Sequence, residues 1–343
     1  MKILYPLLVF FLFAFSKPAD AQIGLSFLKG QVDSTYISSF RDDVVTRLFT
    51  SSKFANFIIR DMDVDNEIQY DPNDRLNVGV GATYKSFTLN IGFNLPFINN
   101  DNYKYGTTEY LDLQTYILTR KFTVDIFLSY YKGFYIANPS EVISNWSDSE
   151  IHPQRGDIQS LDAGINGFYI FNYGKFSYRA AFIQDERQTK SAGSFLLGGS
   201  VKASEITADS TIVPANILNR DFFDGKDFNK TNLTNGAAQV GYAHTFVIKK
   251  VVFFTGSILG GLGIGNLHLT YQDDTDPWET SHLNVSVSAS FRFAVGFNSR
   301  KFYAGISYVN STSLMPTPIR ETSFESSSGN ARFNIAYRIN LKR

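Results

Sequence analysis

The chain contains no cysteine, which excludes disulfide frameworks, thiolate metal sites and Cys-based redox chemistry. Methionine (3) and tryptophan (2) are scarce, and His152, His244, His268 and His282 are the whole supply of imidazole. Neither charge is in surplus. The 32 basic residues meet 32 acidic ones, and removing Lys2, Lys17 and Asp20 with the N-terminal stretch described below leaves 30 against 31, a net of −1. A nucleic-acid-binding surface normally carries a basic excess, and this chain has none. Beyond residue 15, no run approaches the ~18 uninterrupted apolar residues that mark a transmembrane helix.

What the chain has is aromatic mass, with 32 Phe and 19 Tyr. It also has an export signature. Lys2 is followed by the apolar run Ile3 to Phe15 and then by Ala19-Asp20-Ala21, the layout of a signal peptide of residues 1–21 cleaved before Gln22. The run falls short of the ~20 apolar residues a bilayer core needs, and a polar break over Ser16 to Asp20 follows it. With no cysteine after that site, lipoprotein anchoring is excluded. An aromatic-rich, exported chain fits a transmembrane barrel with interfacial girdles.

Period-two alternation recurs along the mature chain. Phe87, Leu89, Ile91, Phe93 and Leu95 interleave with Thr88, Asn90, Gly92 and Asn94; Phe122, Val124, Ile126, Leu128 and Tyr130 interleave with Thr123, Asp125, Phe127 and Ser129. The longest stretch runs from Leu283 to Asn298, and the last sets Phe333, Ile335, Tyr337, Ile339 and Leu341 against Arg332, Asn334, Ala336, Arg338 and Asn340. Soluble sandwiches alternate too, but their strands centre on about 5 to 6 residues, whereas these run to about 10 to 17, enough to cross a bilayer at a tilt. The polar face carries Asp125, Arg292, Arg332 and Arg338, costly against a dry core and natural along a wet lumen. In lipid every backbone group must be paired, so such strands must close. The expected fold class is therefore all-β, a transmembrane antiparallel β-barrel of about 12 to 14 strands. Candidate lumen-facing residues are Asp125, Arg292, Arg332, Arg338, His282 and Asn284.

The connections divide into two kinds, as in barrels with short periplasmic turns and longer external loops. Short turns fall at 84–86, 119–121, 173–175, 248–251 and 298–301, and longer ones at 96–106, 137–156, 206–235, 272–280 and 312–328. The short turns are basic, with Lys249, Lys250, Arg300 and Lys301 among them, while the long ones hold acidic clusters such as Asp221, Asp224 and Asp227. Strands are expected to begin near residues 54, 76, 87, 107, 122, 157, 176, 194, 237, 251, 282, 302 and 330. That count is odd, and bacterial single-chain barrels are even. Two remedies stay open. An extra strand over Thr211 to Leu218 makes 14, although Pro214 opposes it, since proline removes a ladder donor; merging Phe176 to Glu205, or removing the Phe54 segment, makes 12. Residues 22–53 read as an N-terminal lead-in, with a short β piece at Tyr36 to Phe40 and a turn or two of helix over Asp42 to Phe49, ahead of a barrel spanning 54–343.

Several short motifs are distinctive: Tyr70-Asp71-Pro72-Asn73, Val78-Gly79-Val80-Gly81-Ala82-Thr83-Tyr84-Lys85, Leu95-Pro96-Phe97, Asp112-Leu113-Gln114, Tyr131-Lys132-Gly133-Phe134-Tyr135 and Ser191-Ala192-Gly193-Ser194-Phe195-Leu196. Together they resemble the uncharacterised Bacteroidetes family called domain of unknown function 4421 (DUF4421), over most of the mature chain. The resemblance implies an outer-membrane location and brings no activity or catalytic residue.

Catalytic and cofactor signals are weak. His282, Asn284 and Ser286 share a strand face, but alternate residues lie ~7 Å apart, too far for a relay, and the stripe reads as lumen lining. Asp273, Asp274, Asp276 and Glu279 lack the EF-hand pattern. Gly260 to Gly265 lies in a strand and lacks a Lys-Ser/Thr ending. No cofactor, metal or nucleic-acid partner is expected, and an enzyme is not, a lipid hydrolase standing third among the readings. The expected partners are outer-membrane lipids, with the function either a pore or transporter for a small polar or amphipathic solute, gated by the Ile206 to Asn235 segment folding inward, or a structural or partner-binding barrel with a filled lumen. If the basic turns meet anionic headgroups, reversing the charge of Lys249 and Lys250 will slow insertion into anionic vesicles; unchanged insertion removes that contact.

Overall fold

A computed structural model describes residues 30–341 except 74, 85–86, 96–99, 148–150 and 272–277. The proposed signal peptide and the acidic cluster Asp273, Asp274 and Asp276 lie outside the described residues. Among the described residues, thirteen strands form one sheet. In chain order they are β2 (Val44–Asp61), β3 (Asn66–Asp71), β4 (Asn77–Tyr84), β5 (Phe87–Asn94), β6 (Glu109–Leu118), β7 (Phe122–Ile136), β8 (Gln154–Ile170), β10 (Ala192–Thr207), β11 (Lys230–Ile248), β12 (Val252–Tyr271), β13 (Trp278–Asn298), β14 (Phe302–Pro316) and β15 (Thr322–Ile339). Two short strands, β1 (Ile37–Ser39) and β9 (Glu186–Gln188), pair separately.

Ten strands close a ring. From β7 the antiparallel ladders run through β8, β10, β11, β12, β13, β14 and β15 to β2, and β3 joins β2 back to β7. The other three wall strands hang on the ring: β4 pairs the first half of β2, β5 pairs β4, and β6 pairs β7. β2 thus serves β4 along Val45 to Ser51 and β3 along Phe57 to Asp61. The expected 12 to 14 strands correspond to the thirteen of the whole sheet, while closure is made by ten, an even number.

The alternation explains the wall. On β12, Ile258, Leu262 and Ile264 point outwards and are exposed, while Leu259 and Leu267 point inwards and are buried. On β13, Ser286, Ser288, Ser290 and Arg292 are buried and Val285, Val287 and Phe291 are exposed. An apolar outside around a polar inside is the reverse of a soluble protein and the requirement of a barrel in lipid. The short turns 249–251 and 299–301 share one end with the start of β2 and the end of β15; by the rule that short turns are periplasmic, this is the periplasmic end.

Three expectations are corrected and one open alternative is decided. Phe176 does not begin a strand: residues 171–191 form a folded insertion between β8 and β10, containing helix α3 (Tyr178–Phe182) and β9, after the two short helices α1 (Asn102–Tyr105) and α2 (Pro139–Val142). Its Ser177-Tyr178-Arg179-Ala180-Ala181 stretch lacks alternation, and Ser177 caps the helix by accepting from the Ala180 amide. Asp42 to Phe49 is not helical, because β2 starts at Val44, where β-branched Val44, Val45 and Thr46 favour extended chain. Thr211 to Leu218 is loop, with Ile217 bridged to Ile143. Thr312 to Ser328 is no long loop, since β14 and β15 pair as far as Pro316 and Ser323. Strand β3 went unforeseen, as six residues show too few alternations. The β piece expected at Tyr36 to Phe40 is β1.

Leu262 lies midway along β12 on the outer face. Leu262→Arg should cost about 2–4 kcal/mol by placing a cation against hydrocarbon, read from reversible urea unfolding in phospholipid vesicles, while Leu262→Val should change little.

Candidate functional site in the lumen

The lumen is crossed by side-chain contacts between distant strands. Arg292 of β13 is ion-paired with Asp125 of β7. Lys202 of β10 donates to the Ser326 hydroxyl of β15 at 2.7 Å and lies 4.0 Å from Asp162. Asn235 donates to Ser313 at 2.8 Å, and Asn330 to the Gln114 side-chain oxygen Oε1 at 2.8 Å. Lys53 pairs with Asp112 at 3.2 Å, and Tyr131 donates to the same carboxylate at 2.7 Å. Each of these charges is brought inward by strand parity and answered by a group from another strand, as burial in a low-dielectric interior demands. Beside Arg292 and Asp125 a cavity of about 30 Å³ remains, lined also by Gln114, Tyr116, Asn166 and Asn330.

The two ends are closed by different chemistry. Over the external end lie 137–147 and 208–229, which bury Val142, Ile212, Phe222, Phe223 and Phe228 against Phe57, Tyr70, Phe134 and Phe324 of the wall. The backbone of this apolar cap is tied down: Tyr70 donates to the Ile212 carbonyl at 2.5 Å and Asp61 accepts from the Phe223 amide at 2.8 Å. The Ile206 to Asn235 segment, expected to fold inward, supplies much of it.

The periplasmic end is filled by 171–191, which packs Phe176 and Tyr178 on Leu196, Ala243 and Leu259 of the wall and adds a set of polar contacts. Arg179 is ion-paired with Asp185, and Arg120 of the β6–β7 turn with Glu186. The wall reaches the plug backbone through its carbonyls: Tyr303 donates to Ala181 at 2.9 Å, Asn298 to Ala180 at 3.1 Å, and Arg338 to Gln184 at 2.6 Å. Ala180 and Ala181 are small enough to sit deep, and Tyr178 carries the plug up to Arg292, whose guanidinium lies 5.5 Å from its ring centre. β1 pairs β9 from below, pinning the plug to the N-terminal segment. Burial pushes the Glu186 carboxyl above its ordinary range, against the pull of Arg120.

Of the residues expected to face the lumen, Asp125, Arg292 and Arg338 are buried inside it. Arg332 keeps the inward parity and stacks on Phe49 at 4.7 Å. His282 and Asn284 share that parity but lie above Val287, where the β13–β14 ladder ends; His282 is exposed, and only Ser286 of their stripe is buried. Arg292 is therefore not grouped with His282 and Asn284. The sequence reading missed Arg47, Lys53, Asp112, Asp162 and Lys202. A single charge flanked by outward apolar residues, as Lys202 lies between Val201 and Ala203, was the available signal.

A family model matches residues 31–339. The chain belongs to the family described as a domain of unknown function, DUF4421. No curated protein matches it. Among solved structures this DUF4421 barrel is similar to the outer membrane protease OmpT from Escherichia coli, at 7% identity and TM-score 0.40, over 88% of this chain and 98% of that one. It is also similar to the toluene transporter TodX of P. putida, at 8% and 0.20 over 88% and 91%, and to the translocator domain of the autotransporter NalP from Neisseria meningitidis, at 9% and 0.25 over 86% and 88%. At these scores the likenesses carry nothing about the site of the DUF4421 barrel.

Arg292→Met should destabilise the barrel by about 3–5 kcal/mol, because it leaves Asp125 buried without its counter-charge, and adding Asp125→Leu should recover most of the loss. A double-mutant cycle on urea unfolding measures both.

Proposed function

We propose that the protein is a gated outer-membrane barrel, exported by a cleaved signal of residues 1–21, that binds a small polar or amphipathic solute and releases it towards the periplasm when its plug moves. The observation that carries this reading is the polar share of the periplasmic closure, where Arg120, Asn298, Tyr303 and Arg338 hold the plug beside the apolar contacts of Phe176, Tyr178 and Phe182. An apolar core gives up burial when it opens; ion pairs and donor-to-carbonyl bonds such as Arg338 to Gln184 can be exchanged for water at small net cost. Behind the plug the path is lined by Ser, Asn, Thr and paired charges, a surface suited to a polar group. Cations near the plug base, Lys175 and Lys190, lie 5.2 and 5.1 Å from the Tyr36 ring centre and tie it to the N-terminal segment through exposed contacts.

A second reading has an observation of its own. The apolar external cap and the small lumen cavity suit a structural barrel whose interior is permanently filled. Planar-bilayer recordings separate the two. The intact protein should be silent, and replacing residues 176–189 with a short Gly-Ser linker should produce stepwise conductance, larger still when the 209–227 loop is also shortened. A doubly shortened barrel that keeps heat-modifiable migration yet stays silent establishes the structural reading.

A further inference from the structure

Among the described residues, strands β5 and β6 are each paired on one side only. β5 ladders with β4 and β6 with β7, and among the described residues the two do not ladder with each other. β3 closes the ring from β2 to β7 on the external side, so the seam between β5 and β6 is a break in the lower wall. Unpaired strand edges facing hydrocarbon leave amide groups unsatisfied, which ordinary barrel wall avoids.

The seam joins two chemistries. Its outer rim is apolar: Leu89, Ile91 and Phe93 of β5 and Leu111, Leu113 and Ile117 of β6 are all exposed. Its inner rim is polar and open. Asn90, opposite Gly81, keeps the inward parity of its strand and yet is exposed, whereas the inward Asn235, Asn330 and Asn334 of the closed wall are buried. Behind the rim stands Arg332, stacked on Phe49. That ring occupies the space left by a missing side chain, since a Cβ on Gly79 would come within 2.3 Å of it, and Gly92 of β5 lies beside it. Tyr116 of β6 completes the far side, bonded to Asn330.

The charge behind the seam is unanswered. Lys53, Lys202, Arg292, Arg120 and Arg179 each face a carboxylate within 4.0 Å. Among the described residues Arg332 has no such partner, and its Nε is buried without a hydrogen bond. Arg47, on the neighbouring strand, bonds only to uncharged oxygens, those of Thr83 and of the Ile183 carbonyl, and its Nε too is unbonded. Arg332, half-buried and with no carboxylate partner among the described residues, and beside it Arg47, which feels Asp185 of the plug but bonds to no carboxylate, stand next to a lipid-facing gap and ask for an anion that arrives from the membrane.

We propose that the β5–β6 seam is a lateral port for a single-chain amphipath with an anionic head, its chain lying along the apolar rim and its carboxylate or phosphate held by Arg332 and Arg47. The proposal rests on the reading of the barrel as a solute binder and names the solute class and the route. Because it concerns capture and not passage, plug removal and the experiment below can fail separately.

The full-length barrel in dodecyl maltoside is titrated with palmitate and with palmitoyl lysophosphatidate, followed by native mass spectrometry. Monopalmitoylglycerol supplies the chain without charge, and inorganic phosphate supplies the head without the chain. Both anionic amphipaths should bind, with Arg332→Gln weakening them at least about tenfold and Arg332→Lys retaining most of the affinity. A bis-maleimide tether between Asn90→Cys and Leu113→Cys, the sole thiols in the chain, should abolish uptake. Heat-modifiable migration reports folding, and the Lys-versus-Gln contrast separates loss of charge from loss of structure. Equal binding of monopalmitoylglycerol with no effect of Arg332→Gln overturns the anion site. Phosphate binding that survives the tether overturns the lateral route, and tethers that form between two copies make the seam a dimer contact instead.

Discussion

The structure depends on one ladder. β2 and β15 pair from Val44 with Ile339 to Asp61 with Thr322, joining the two ends of the chain and turning an open sheet into a ring. In lipid an open sheet exposes two rows of unsatisfied amides, so closure is a condition of the fold and not an embellishment. It also aligns the inward parities of β2 and β15, which places Arg47, Phe49, Arg332 and Arg338 side by side inside the wall.

A closed ring of ten strands has too narrow an interior to remain a wide aqueous channel, and this one is crossed by its own polar side chains. The two ends are treated unequally. The external loops bury a continuous apolar cluster, which resists opening in water because it would expose Phe57, Phe222, Phe223 and Phe228. The periplasmic insertion is held by the apolar contacts of Phe176, Tyr178 and Phe182 together with ion pairs and donor-to-carbonyl bonds that water can replace. The larger polar share at the plug is what sets the proposed mobile element towards the periplasm, and the proposed port between β5 and β6 faces the membrane. A lumen closed at both ends and interrupted at its flank differs from a simple pore.

The barrel was legible because its physics is local. Alternation along β7, β13 and β15 depends only on the two-residue repeat of a strand, and lipid outside with water inside gives each repeat a sharp contrast. Asp125, Arg292 and Arg338 stand out for the same reason. The plug was misread where the repeat is interrupted: Phe176 and Tyr178 looked like the start of another crossing, and only their burial against Leu196, Ala243 and Leu259 inside the wall explains why they are aromatic. His282 and Asn284 obey the parity but not the burial, because parity says which way a side chain points and not how far the neighbouring strand extends.

The amino-acid sequence by itself determined the class of the protein: strand-borne, apolar outside and polar inside, with family motifs spread over the mature chain. These follow from nearest-neighbour periodicity and composition. Only the tertiary structure decided that ten strands close while three hang on the ring, that Arg292 meets Asp125 while Arg332 meets no carboxylate among the described residues, and that 171–191 fills the periplasmic end of the lumen. Each of these depends on pairs of residues far apart in the chain, such as Asp125 and Arg292, whose meeting is set by register and closure, and neither is written in any one segment.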